Sequence, residues 1–180
     1  MPAEEEHVGA AHLWQAKLAA EVKRAESLVP GRRRAASSAP AYSAVLAVKG
    51  HPTEADAVAG RVFGGKDGEA LRKALAALGV EGDPFCMASR PSAEAEEHPD
   101  AVARRVRELA EAVEAELVLA LDAVAAGDVA AAFGTEALKP GVPVHLPGHI
   151  LLATDDFSAA LVDEAAKRVV WRQMKALVRS

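Results

Sequence analysis

SAVLAVKG (43–50) is a short, unbroken apolar run closed by glycine, which is how a strand buried on both faces of a parallel sheet reads. A Gly-rich loop, GRVFGGKDG (60–68), follows it, and then a helical stretch, EALRKALAAL (69–78), that stops at Gly79. The same order recurs downstream. DPFCMAS (83–89) is a second apolar run and PSAEAEEHPD (91–100) a loop. Residues 101–116 form a helix with Val102, Val106, Leu109, Val113 and Leu117 in one stripe. ELVLALD (116–122) is a third strand ending in Asp, and DAVAAGDVAAAFG (122–134) a short helix with Gly134 as its C-cap. GVPVHLPGH (141–149) holds a fourth short strand and then a turn. DEAAKRVVWRQMKALVRS (163–180) is a terminal helix, in which Leu161, Ala165, Val169, Met174 and Leu177 can share a buried face. On the N-terminal side, residues 10–28 are an amphipathic helix carrying Leu13, Lys17, Leu18, Val22, Ala25 and Leu28, and PGRRRAASSAPAY (30–42) is a loop.

This alternation predicts an α/β protein: a three-layer α/β/α sandwich around a parallel four-stranded sheet, joined by right-handed crossovers. The strands are expected near 43–49, 84–89, 116–121 and 142–146, with residues 1–42 as an N-terminal helix and basic loop and 43–180 as the α/β domain. In such sheets ligands bind outside the carboxyl ends of the strands. The segments to examine are therefore Gly50–Thr53, Ala88–Pro91, Asp122–Ala123 and Leu146–His149.

Composition narrows the function classes. The 180 residues fit one domain, and 42 are Ala, leaving a core of 20 Val, 17 Leu and one Ile. No apolar run approaches the roughly 20 residues of a membrane span. The acidic opening MPAEEEHVG lacks the apolar segment of a secretory signal. A cytoplasmic location is expected, with no membrane partner. One cysteine, Cys86, excludes an internal disulfide and a cysteine-based cluster, and it reads as a buried small hydrophobe. The net charge of −5 argues against a general nucleic-acid binder. Its distribution is uneven, however: residues 41–162 carry ten cations against 19 anions, while basic charge gathers in Arg32, Arg33 and Arg34 and in the last helix. No dinucleotide fingerprint, phosphate loop, nucleophile elbow or metalloprotease motif is present, and no metal or cofactor is expected.

The post-strand segments, taken in order, do form a pattern. VLAVKGHPTEAD, then GRVFGGKDGEALRKAL, a strand ending in Ser89-Arg90-Pro91, LVLALDAVAAGDVAAAFG, PVHLPGHILL and AKRVVWRQMKAL together resemble the uracil-DNA glycosylase superfamily, most closely its iron–sulfur branch. The resemblance covers roughly residues 43–180. It implies a pocket in which Gly50, Pro52, Phe63, Ala88 and Ser89 meet a base, with the Phe63 ring stacking on it. It further implies DNA or a nucleobase as partner, with Arg32, Arg33, Arg34, Arg90 and Gly148 available to a DNA backbone.

The departures concern the chemistry. Gly50 stands where the family has an acidic or Asn residue that positions water. Ala88 or Ser89 stands where an Asn reads the base edge. Pro147 stands where a His stabilises the departing base, with His145 and His149 on either side. The four cluster cysteines are absent. Cleaving an N-glycosidic bond needs water positioned on one side and a donor to the leaving base on the other. His51 and His149 are the candidate replacements, with Glu54 and Asp56 near the first. Each also has a plain structural reading: His51 as a turn cap, His149 as a partly buried hydrogen-bonded residue, Glu54 and Asp56 as loop surface, and Phe63 as core. Three readings follow: a diverged protein that binds DNA or a nucleobase with weak or no excision, an active glycosylase using His51 and His149, or a small α/β module binding a nucleotide or a protein.

Overall fold

The computed structural model describes residues 2–179, with side-chain placement from residue 9. Along the chain it comprises α1 (Pro2–Glu26), β1 (Val45–Lys49), α2 (Glu54–Ala59), α3 (Lys66–Ala77), β2 (Phe85–Ala88), α4 (Pro99–Ala112), β3 (Leu117–Ala120), α5 (Ala123–Phe133), β4 (Val144–Leu146), β5 (His149–Ala153), α6 (Glu164–Met174) and α7 (Ala176–Arg179). Single 3₁₀ turns cover Ala93–Glu97 and Ala159–Leu161.

Every residue of β1 is buried, because the sheet is covered on both faces. Alternation along the strand sends Leu46 and Val48 into one core, with Phe85, Met87, Val118 and Leu151, beneath α1, α4 and α5. Val45 and Ala47 go into the other core, with Leu119, Leu152, Leu71, Leu75, Val170 and Met174, beneath α3 and α6. Ala47 is level with Cys86 on β2 and Leu119 on β3, all three strands parallel, and Leu119 is level with Leu152 on β5. The spatial order is β2-β1-β3-β5-β4, and β4 alone runs antiparallel.

The α/β class, the parallel sheet and the two helical faces agree with the sequence reading, but the sheet has five strands and the last part of the reading is corrected. The expected fourth parallel strand, 142–146, is the antiparallel edge strand β4. Pro147 and Gly148 form the two-residue turn between Leu146 and His149, with Gly148 at φ 80°, as a turn of this kind requires. The fourth parallel strand is β5, and its post-strand loop is 154–158 rather than 146–149. The short α2, absent from the sequence reading, is set by Thr53, whose hydroxyl accepts from the Asp56 N–H while the Asp56 carboxylate accepts from the Thr53 N–H. On α6, Val170 and Met174 are buried, whereas Val169 is exposed, as is Leu161 in the preceding 3₁₀ turn.

The N-terminal helix packs through Leu18, Val22 and Ala25 against the same core as α4. Leu13, which the sequence places on the amphipathic face, and the neighbouring Trp14 are 74% and 57% exposed. The loop after it is pinned. The Arg34 N–H donates to Pro91 O at 3.1 Å, and Ser92 Oγ to Pro30 O at 2.6 Å. The Ser38 N–H donates to Cys86 O at 2.9 Å and Ser38 Oγ accepts from Cys86 N at 2.8 Å, so this loop covers the outer edge of β2.

Candidate functional site

The carboxyl ends of β1, β3 and β5 open into a crevice of about 690 Å³, a size ordinary for small-molecule sites. Its walls are His51, Pro52 and Thr53 after β1; Phe63; Leu121 to Val124 after β3; Leu138 and Pro140; and Thr154 to Ser158 after β5. Lys49, the last residue of β1, lies at the floor and is only 3% exposed.

The floor is a charge cluster. Lys49 Nζ donates to Asp56 Oδ2 at 2.7 Å and to Asp67 Oδ2 at 2.6 Å, and sits 4.0 Å from the centre of the Phe63 ring. A buried ammonium requires such partners, because burial without them removes its hydration uncompensated. Asp56, which the sequence placed on the loop surface, is fully buried. Its Oδ2 also accepts from Thr53 N at 2.9 Å, and its Oδ1 from Phe63 N at 2.9 Å. Asp56 therefore holds the end of β1, the start of α2 and the Phe63 backbone together. Phe63 has φ 56°, a conformation non-glycine residues rarely adopt, and the Asp56 bond to its N–H helps fix it there.

Asp122 organises the opposite wall. Its Oδ1 caps α5 by accepting from Ala125 N at 2.8 Å, and its Oδ2 accepts from Gly50 N at 2.8 Å. Gly50 is glycine for packing: a Cβ there would lie 2.5 Å from Val124 Cβ. Asp156 accepts from Ser158 N at 2.9 Å and Ala159 N at 3.2 Å, and Asp155 accepts from Gln173 Nε2 at 2.9 Å.

The structure brings together three of the sequence candidates, His51, Pro52 and Phe63, with Gly50 immediately behind them. It does not bring His149 to them. His149 begins β5, one residue before Ile150, which is level with Leu117 at the amino end of β3. The two histidines thus lie at opposite ends of the sheet, because the Pro147-Gly148 turn reverses the chain before the last parallel strand. His149 Nδ1 is 2.8 Å from Ala115 O, and its ring stands edge-on to Phe133 at 5.0 Å. Gly148, in that turn, is likewise at the far end.

Ala88 and Ser89 end β2 outside the crevice walls. Ser89 Oγ donates to Asp128 Oδ2 at 2.6 Å, and Ala88 O accepts from Arg105 Nη1 at 2.7 Å. Arg90 grips Asp128 through two bonds of 3.0 Å and also pairs with Glu96, whose other oxygen is paired with His51. The His51 bond, with that of Arg90, holds the Glu96 carboxyl below its ordinary value. Arg33 is tied to Glu26, which it shares with the fully buried Arg105, and Arg34 meets Glu54 at 3.5 Å. Of the arginine triplet, only Arg32 has no acidic partner among the described residues. Burial pushes the Cys86 thiol up to about 11, which makes it inert at neutral pH. Among the described residues, no group of three His, Cys, Asp or Glu side chains is arranged to hold a metal ion, and no helix is long and apolar enough to cross a membrane.

The sequence reading missed Lys49, Asp67 and the whole Thr154–Phe157 wall. A lysine directly continuing a buried apolar run was the available signal for the first. The wall was hidden by the misassigned last strand. Comparison with models of protein families finds no match, and no curated protein matches the chain.

Proposed function

We propose that this protein binds a nucleobase in the crevice at the carboxyl ends of β1, β3 and β5, without hydrolysing an N-glycosidic bond. The resemblance of residues 43–180 to the uracil-DNA glycosylases motivates the reading. One observation carries it: each crevice carboxylate is already engaged. Asp122 caps α5 and holds the Gly50 N–H, Asp156 caps the 3₁₀ turn, and Asp155 is bonded to Gln173. These bonds give each carboxylate a structural role, and loss of a dedicated water-orienting group typically removes on the order of 10²–10⁴ in rate. Binding groups remain. Phe63 and Phe157, 2% and 6% exposed, line the crevice with aromatic side chains, which suit planar heterocycles. Lys49 gives two of its three N–H bonds to Asp56 and Asp67, which leaves one for a carbonyl oxygen of the base.

The test combines an excision assay with a binding assay. Single- and double-stranded uracil oligonucleotides, treated with alkali after incubation, should show no cleavage above background, while free uracil shifts the amide resonances of Phe63, Asp122 and Thr154. Rapid excision abolished by His51→Ala would replace this reading with the active-enzyme one. Shifts confined to the His149 end of the sheet would refute it.

A further inference from the structure

We infer that the crevice takes its base without phosphate, as the free base or nucleoside, and rejects nucleotides and the DNA backbone; this rests on the nucleobase reading above. The argument concerns where a phosphate would sit. In α/β folds it sits on the free N–H groups at a helix N-terminus beyond a strand. Three groups of N–H donors surround this crevice, and a carboxylate of the chain itself accepts from part of each. Asp56 closes the start of α2. Asp122 closes α5 and takes the Gly50 N–H as well. Asp156 takes the Ser158 and Ala159 N–H groups. A phosphate at any of them would lie beside a covalently attached anion.

The charge around the cavity points the same way. Two carboxylates, Asp56 and Asp67, are bonded to the Lys49 ammonium, and three more, Asp122, Asp155 and Asp156, line the crevice. The single Lys49 cation is consumed by the two carboxylates it touches. At the mouth, His51 is already paired with Glu96, and Arg90 with Asp128 and Glu96. A dianionic phosphate entering this field is repelled from several sides, whereas an uncharged base and its sugar are not.

Calorimetric titration of the full-length chain with uridine and UMP, repeated with inosine and IMP, tests this. At low ionic strength the nucleoside should bind at least about tenfold more tightly than its 5′-monophosphate, the size that several partly screened charges produce, and the gap should narrow as salt is added. The double variant Asp155→Asn/Asp156→Asn, which keeps a side-chain oxygen at both positions, should bring the monophosphate to within about threefold of the nucleoside, because two repelling charges are gone. A monophosphate that binds as tightly as its nucleoside, or a gap that the double variant leaves untouched, overturns the inference while leaving base binding intact. If uracil, both nucleosides and both monophosphates all fail to bind, the nucleobase reading itself falls, and this inference with it.

Discussion

Two buried charge clusters sit on opposite faces of the sheet, built on opposite ratios. At the crevice, one ammonium, Lys49, is shared by two carboxylates, Asp56 and Asp67. Between α1, α4 and the loop after α1, one carboxylate, Glu26, is shared by two guanidinium groups, Arg33 and Arg105. The second cluster lines no cavity. Arg105 is fully buried; its Nη2 donates to both Glu26 oxygens at 3.1 Å and its Nη1 to Ala88 O at 2.7 Å. Burial lowers its pKa to about 9, and that of Arg33 to about 10, so both remain cationic at neutral pH. The difference teaches how to separate a clamp from a site. The arginine cluster joins distant segments and turns inward. The lysine cluster joins neighbouring segments and keeps a face on open space.

The largest effect is expected where the clamp is broken. Glu26→Ala leaves Arg105 buried without its carboxylate and should cost about 3–5 kcal/mol, on the order of 10 °C in thermal midpoint by circular dichroism. Adding Arg105→Met should recover part of this, since the stranded charge is then gone.

Lys49→Met should cost less, about 3 kcal/mol, because Asp56 keeps its bonds to Thr53 and Phe63. Lys49→Met/Asp67→Asn should regain some of the loss in chemical unfolding. A larger loss for Lys49→Met than for Glu26→Ala would invert the comparison and make the crevice cluster the main clamp.

Gly50→Ala comes next. Its Cβ meets Val124, which should cost about 1–3 kcal/mol as overpacking does. A neutral result in the same unfolding assay would mean that α5 yields easily and that the wall is softer than its packing suggests.

A smaller effect belongs to the mouth. Because the folded Glu96 carboxyl titrates below its ordinary value, its pairing stabilises the protein above the ordinary carboxylate range. That contribution is lost as pH falls through the lowered value. A ¹³C carboxyl titration should show His51→Ala raising the Glu96 midpoint, while Arg90 keeps it somewhat depressed. The smallest change is Leu13→Ser/Trp14→Ser, expected within about 0.5 kcal/mol of the parent because both side chains are exposed.

The sheet was legible where strand and helix periods were clean. β1, β2, β3, α4 and α5 lie close to their expected positions, because apolar runs and the Asp122 and Gly134 caps are local signals. The last third was not legible. PVHLPGHILLA reads equally as one strand and a turn or as a hairpin, and only pairing with β3 decides it. That choice moved the post-strand loop by eight residues, taking His149 out of the site and bringing Asp155 and Asp156 in. The buried state of Asp56 was hidden for a related reason. Its partners, Lys49 and the Phe63 backbone, are seven residues away on either side, and the chain between them passes from strand through turn and short helix to loop, so no single period links them.

Both margins of the sheet are closed by short, irregular chain. On one side Ser38 occupies the free edge of β2 with both its N–H and its hydroxyl. On the other, β4 runs for only three residues, flanked by Pro143 and Pro147. Proline donates no ladder bond, and short edge strands offer little template. Strand addition from another chain therefore finds little template at either side. Self-assembly of this protein is therefore favoured through helical surface over pairing at a sheet edge while the fold is intact.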